Sequence, residues 1–298
     1  MEIHCKPSLI ISQADYFSLR GILQELNKSC TRIDFGWYEI NISYKYPNTS
    51  FDSLRSLQSQ LFTRAMKFES RKSNEEQKMR AILAYAEQCS FFEACSALGF
   101  SSYKFAKNYL ERESGNNNSV VQQFLKSPSL FKKDSKTRGD LLQCISDDAF
   151  NSFENEILKQ MAGNEFEKLL INLLRAKHCC FETEESLRAK GKPKTPDIVF
   201  LIPMIVTIGA EEYVVNWIDS KAMFADEDTF KESLDQFNGY CNRYGKGLVI
   251  YWLGFVESLL QTSLKDVCIA DGFPEKCRFP TGEVADGSLP SFRAQSDA

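Results

Sequence analysis

Several features are scarce or missing from this chain, and each absence removes a class of function. No long hydrophobic run is present. The longest, Ile198 to Ile208, is interrupted by Pro203 and is far shorter than the roughly 20 apolar residues that span a bilayer. The first residues lack a basic stretch followed by an apolar one, so no secretory signal is expected. Basic surplus is lacking too: a net charge of −4 and a pI of about 5.5 exclude a protein that coats nucleic acid by bulk electrostatics. The ten cysteines contain no C-x-x-C pair, which removes the common zinc modules and dithiol redox motifs. His178, one of two histidines, precedes Cys179 and Cys180; a buried helix end is favoured there over a metal site. Many unpaired thiols suit a reducing compartment, nucleus or cytoplasm. There are no internal repeats.

What remains is ordinary soluble composition, 43% hydrophobic and 26% charged, over 298 residues. That length allows about two domains. The informative segment begins at Thr195-Pro196-Asp197 and is followed by Asp219-Ser220-Lys221. Between them lie two β-prone runs, Ile198 to Ile202 and Tyr213 to Ile218, with Gly209 as the turn signal. An antiparallel hairpin sets the start of its first strand beside the end of its second. Asp197 and Asp219 are then neighbours. Strand alternation puts Lys221 on the face of Asp219 and turns Ser220 away.

Two carboxylates and a lysine so placed meet the needs of phosphodiester cleavage: a cation on the phosphate, an oriented water and relief of developing charge. Mg²⁺ or Mn²⁺ takes oxygen ligands and keeps several waters, so one or two carboxylates suffice. Asp197 and Asp219 are the expected ligands, with the carbonyl of Ser220 as a further oxygen. Lys221 would orient the water or stabilise charge. An ordinary surface hairpin with an incidental Asp/Lys pair is the competing account.

Two helices add to the pattern. From Gly163 to Leu174, apolar residues at 166, 169, 170, 173 and 174 form a helical stripe. On that wheel Glu167 falls beside Ile171 and Leu174 and is the more buried carboxylate, whereas Glu165 lies near the polar Asn172. After the lysine, Asp226-Glu227-Asp228 reads as a helix start and Gly245 as its stop. Gln236 and Tyr240 share a face of that helix. Gln236 is expected to hold a phosphate oxygen or the water, and Tyr240 to touch the nucleic-acid backbone or stack on a base. Gly247 to Leu253 reads as a buried strand beside the hairpin.

The order helix-Glu, Pro-Asp, Asp-x-Lys, Gln-xxx-Tyr resembles the PD-(D/E)xK nuclease superfamily, in its Gln-xxx-Tyr branch. More closely, Leu187 to Gly191, Lys194 to Asp197, Trp217 to Ala222, Asp235 to Phe237, Tyr240, Asn242-Arg243 and Gly247 to Trp252 resemble the codanin-interacting nuclease family, whose domain is called TPD. The resemblance covers about half the chain, from near Thr137 to near Phe279. It implies an α/β fold: a restriction-endonuclease-like mixed sheet flanked by helices. It implies Asp197, Asp219 and Glu167 as the metal-binding carboxylates, Lys221 as the catalytic lysine with Glu167, Gln236 and Tyr240 beside it, and Mg²⁺ or Mn²⁺ as cofactor. A codanin-like protein is the implied partner. Nucleic acid, DNA favoured over RNA, is the expected substrate, and no membrane is involved.

Basic residues are local. Arg188, Lys190, Lys192 and Lys194 precede the Thr-Pro-Asp run, and Arg243 with Lys246 follows the Gln/Tyr pair; they are candidates for backbone phosphates or are solvated charges. Residues 1–113 read as an all-α domain, 114–136 as a linker and connecting helix, 137–283 as the nuclease domain and 284–298 as a disordered tail. Within 91–110, a helix ending at Gly99 and a second capped by Ser101 or Ser102 outline a helix-turn-helix. Lys104 and Lys107 would then lie near DNA phosphates, or the pair is a packed helical hairpin. Two further functions follow from these features: a catalytically silent adaptor on the nuclease fold, and a helix-turn-helix DNA-binding protein.

Overall fold

The computed structural model describes residues 9–28, 33–72, 75–115, 119–148, 150–261 and 265–279. The expected tail, 284–298, and the middle of the Ser114–Ser119 linker lie outside them. Among the described residues the fold is mixed α/β with a helical N-terminal region. After a short strand β1 (Ile10–Ile11) come helices α1 (Gln13–Lys28), α2 (Phe35–Asn41), α3 (Phe51–Lys72), α4 (Glu75–Tyr85), α5 (Phe91–Ala97), α6 (Ser102–Glu113), α7 (Val120–Lys126) and α8 (Ser135–Asp147). The remainder is α9 (Phe153–Ala176), β2 (Phe181–Thr183), α10 (Glu184–Ala189), β3 (Ile198–Ile208), β4 (Glu211–Lys221), α11 (Glu227–Tyr244), β5 (Gly247–Tyr251), β6 (Phe255–Val256), β7 (Val267–Ala270) and β8 (Cys277–Arg278).

The chain divides into two compact units. One comprises 14–45 and 54–160, the other the first residues, 46–53 and everything from Met161 on. In the helical unit, Met79, Ile82, Cys95, Phe105, Leu110, Phe124, Leu141 and Cys144 form a single apolar core. Helix α8 therefore packs with α5 and α6, although it lies C-terminal to the expected linker. Its apolar stripe, Leu141, Cys144 and Ile145, has its partners there. Helices α5 and α6 form as their signals predict: Ser90 and Glu93 make a reciprocal capping box, Gly99 takes a positive φ of 61°, and Ser101, not Ser102, caps α6.

The second unit is a sheet with a helix on each face. The sheet runs β2-β3-β4-β5-β7, with β8 also on β3. β2, β3 and β4 are antiparallel, and β4, β5 and β7 are parallel. One face, carrying Ile198, Phe200, Ile218, Leu248 and Ile250, packs on Leu170 and Leu174 of α9. The other, carrying Trp217, Val249 and Tyr251, packs on Phe230, Phe237 and Tyr240 of α11. This is the alternation written into the hairpin, covered on both sides. All five residues of β5 are buried, as a continuous apolar run requires. Gly247 is obligatory because a Cβ there would lie 2.0 Å from the Trp217 ring.

The hairpin is longer than its two β-prone runs. Gly209, at φ 62°, turns the chain. The register breaks between Val199 and Met204, where Pro203 lacks an N–H for the ladder and Leu201 and Ile202 are exposed. The break leaves the start of β3 aligned with the end of β4.

Candidate active site

Ile198 pairs with Ile218 and Val199 with Trp217. One residue further out, this register sets Asp197 opposite Asp219. The two are joined through the intervening backbone: the Ser220 N–H donates to Asp197 Oδ2 at 2.6 Å. The Ser220 hydroxyl is on the other face, where it accepts from the Trp252 indole at 2.7 Å. Phe166 of α9 stacks on that indole at 5.0 Å, which brings the neighbouring Glu167 toward the aspartates.

Asp219 is only 2% exposed. Lys221 Nζ lies 2.6 Å from its Oδ2 and supplies the counter-charge to this buried oxygen, which no other donor among the described residues reaches. Burial pushes the Asp197 carboxyl up to about 8, helped by the charge of Asp219 and opposed by the Ser220 N–H. Burial likewise raises Asp219, against the pull of Lys221. Glu167 is raised by burial, then by Glu184 and Asp219. Three acidic groups thus share one field with one lysine among them. Crowded, desolvated carboxylates of this kind are the arrangement that a bound cation relieves.

A second network backs the lysine. Lys221 Nζ reaches Gln236 Oε1 at 3.4 Å and sits 5.9 Å above the Phe237 ring. Gln236 Nε2 donates to the Tyr240 hydroxyl at 2.6 Å, and that hydroxyl donates to the Thr195 carbonyl at 3.0 Å. The Tyr240 ring is buried and meets Trp217 edge-on at 5.2 Å. It cannot stack on a base or reach a nucleic-acid backbone, as its spacing with Gln236 left open. A tyrosine facing the sheet is covered by it, so its hydroxyl holds the protein's own chain.

With this geometry in place, comparisons with known proteins become informative. A family model described as "Protein of unknown function TPD sequence-motif" matches residues 133–273. Over that region the chain is similar to the TPD family. It is 37% identical over 190 residues to CDAN1-interacting nuclease 1 of Xenopus laevis, covering 61% of each chain. To the protein of that name from Homo sapiens it is 38% identical over 157 residues, 52% of this chain and 54% of the relative. With that of Xenopus tropicalis, 29% identity extends over 90% of this chain and 89% of the relative. The chain thus spans little more than half of some curated relatives it matches. No solved structure matches it. The TPD region begins near α8, which packs in the helical unit, so the family boundary and the packing boundary differ.

The basic residues of the TPD domain are largely engaged. Arg188 pairs with Glu184 at 2.6 Å, and Lys190 pairs with Glu182. Arg243 donates to the carbonyls of Pro193 and, at 3.0 Å, Lys194, which ties the loop before Thr195 to α11. Lys192 and Lys194 are exposed. In the helical unit, Lys107 is 3.9 Å from Glu111, and Lys104 lies over the Phe100 ring at 5.9 Å.

Glu184 is the site residue that sequence reasoning missed. Its N–H donates to the Asp197 carbonyl at 2.9 Å, and its charge reaches Glu167, Asp219 and Tyr240. No spacing rule marks it; only the pairing of the three-residue β2 with β3 sets it beside Asp197. Among the described residues, no three His, Cys, Asp or Glu side chains gather as a ready-made metal cluster, His178 and its adjacent cysteines included. The residues that could hold a cation are Asp197 and Asp219, with Glu167 and Glu184 as surrounding charge.

Proposed function

We propose that this chain is a divalent-metal-dependent nuclease of the PD-(D/E)xK type, hydrolysing phosphodiester bonds with DNA as substrate. The observation that carries the reading is the pairing of a buried Asp219 with a partly buried Asp197, with a lysine 2.6 Å from Asp219 Oδ2 as the partner of that oxygen. Relatives named as nucleases support it.

The residues fit an oxygen-seeking cation. Asp219 Oδ2 is buried with Lys221 as its counter-charge, and two carboxylates suffice for Mg²⁺ or Mn²⁺, which retain water in the remaining positions. Asp197 and Asp219 would hold it, near Glu167. A bound cation supplies positive charge to the scissile phosphate and the departing oxygen. Lys221, beside Asp219, would orient the attacking water or meet negative charge on the phosphate. Gln236 holds the lysine amine, and Tyr240 holds Gln236. Exposed Lys192 and Lys194 offer contacts to backbone phosphates; Arg188, Lys190 and Arg243 serve mainly to shape the loop they precede or follow. By analogy with the relatives named CDAN1-interacting nuclease 1, a CDAN1-like protein is the proposed partner, and free thiols suit a nuclear or cytoplasmic setting.

The test is a cleavage assay on single-stranded, duplex and branched DNA and on RNA, with Mg²⁺, Mn²⁺ or EDTA, beside Asp219→Ala and Lys221→Ala. The expected result is metal-dependent cutting of DNA that falls on the order of 10³-fold in each variant. Cutting of RNA in place of DNA overturns the substrate. A folded protein that binds metal and cuts nothing points to an adaptor, and one that binds no metal sinks the site.

A further inference from the structure

We infer that Glu184 and Thr195 form a positioning pair that aims Asp197, and that this is why a threonine precedes Pro196-Asp197. This rests on the nuclease reading for its readout and on hydrogen bonds around Thr195 and Asp197 for its geometry.

Glu184 stands where β2 passes into α10. Thr183 pairs with Ile198, and the next residue continues the ladder: the Glu184 N–H donates to the Asp197 carbonyl at 2.9 Å. Asp197 is thereby flanked by Glu184 on one side and Asp219 on the other. The side chain of Glu184 then turns back. Its Oε1 accepts from the Thr195 hydroxyl at 3.3 Å and takes the Arg188 guanidinium at 2.6 Å. Arg188 is one turn along α10, the spacing at which a helix neighbour neutralises a glutamate.

Thr195 is 3% exposed and is gripped at both polar ends. Glu184 holds its hydroxyl, and Tyr240 holds its carbonyl at 3.0 Å. Pro196 follows with φ fixed by its ring. Two anchors on Thr195, a stiff proline and a third anchor on the Asp197 carbonyl leave the aspartate few ways to point. Its Oδ2 already meets the Ser220 N–H, so the carboxylate is locked against β4 before any cation arrives. A buried hydroxyl needs a partner, and Glu184 supplies it. Serine would keep that bond with a looser χ1; valine would keep the shape and lose the bond.

Groups that hold a ligating carboxylate typically change metal affinity by about 10–100-fold when removed. The experiment is a Mn²⁺ titration of the full chain, read by calorimetry on protein shown to be folded, for wild type, Thr195→Val, Thr195→Ser, Glu184→Ala and Glu184→Gln. The amide oxygen of Gln can still accept from Thr195, so Glu184→Gln separates the hydrogen bond from the charge. The expected result is about a tenfold loss of Mn²⁺ affinity in Thr195→Val and Glu184→Ala, with Thr195→Ser and Glu184→Gln near wild type. Equal affinity across the set overturns the inference while leaving the nuclease reading intact. Loss in both Glu184 variants but not in Thr195→Val makes Glu184 a ligand and likewise overturns it. Wild type that takes up no Mn²⁺ overturns the nuclease reading, and this inference with it.

Discussion

Asp148 and Asp219 are both buried aspartates, and their surroundings treat them in opposite ways. Asp148, 4% exposed, lies in the helical unit. One of its oxygens accepts from the Ser101 hydroxyl at 2.7 Å and the Tyr103 N–H at 3.1 Å. The other accepts from the N–H groups of Phe150 and Asn151 at 3.0 and 2.7 Å. Asp219, 2% exposed, has an oxygen whose partner is a lysine at 2.6 Å, and the carboxylate of Glu184 in its field. Burial by itself therefore says little about function. A buried charge whose hydrogen bonds are filled is a structural clamp on a helix start and a turn. A buried charge held by a single lysine, among like charges, is the arrangement expected of a functional site.

That contrast can be broken by exchanging readouts. Asp148→Ala leaves several donors unmet and is expected to cost about 3 kcal/mol or more, seen as a lower midpoint in urea unfolding. Asp219→Asn removes repulsion instead, so without metal its midpoint should hold or rise. If Asp148→Ala unfolds at the wild-type midpoint, the clamp is fictitious. If Asp219→Asn is the one that collapses, its buried charge was not a source of strain.

The next effect is one of pH. The Asp197 carboxyl is pushed up to about 8, chiefly by burial, against an unfolded value of about 4. A group raised on folding contributes stability that is fully present below its unfolded value and lost as pH rises through its folded value. In EDTA, stability should therefore decline between about pH 4 and about pH 8, and Asp197→Asn should flatten that part of the decline. Divalent-metal affinity should run the other way and strengthen as pH rises toward 8, because protons compete for the same oxygens. Thermal melts across pH with and without Mn²⁺ measure both slopes. A metal-free profile flat over that range in wild type and variant alike removes the crowding argument.

The smallest effect tests the support and leaves the carboxylates alone. Tyr240→Phe deletes the hydroxyl between Gln236 and the Thr195 carbonyl. It should cost about 1–2 kcal/mol, since a buried carbonyl loses its donor, and slow cleavage about tenfold through looser placement. An unchanged rate would show that α11 merely covers the sheet.

Much of the site was legible because local rules govern it. Glycine at 209 and two β-prone runs required a hairpin, and a hairpin has one way to bring Asp197 to Asp219. The spacing of Gln236 and Tyr240 required a shared helix face, and the two side chains touch. Glu167 was preferred to Glu165 from a helical wheel; Glu167 is half-buried while Glu165 is exposed. The role of Tyr240 was less legible, since a wheel shows which residues share a face and not whether the face is covered. The basic residues near the motif show a related limit: charge was visible in sequence, but the glutamates that pair with Arg188 and Lys190 were not. Glu184 escaped altogether, because a three-residue strand carries no periodicity to read.

The sequence by itself determined the elements and their internal order: where helices start and stop, which side of each strand is apolar, and which acidic residues flank the hairpin. These depend on side chains a few positions apart, whose interactions are set by 3.6-residue and two-residue repeats. Only the tertiary structure decided which buried oxygen is held by a lysine, which cations are already spent on neighbours, and what grips Thr195 from α10 and from α11. Those outcomes depend on contacts between segments tens of residues apart, where register, burial and competition for donors are settled together and no local pattern records the result.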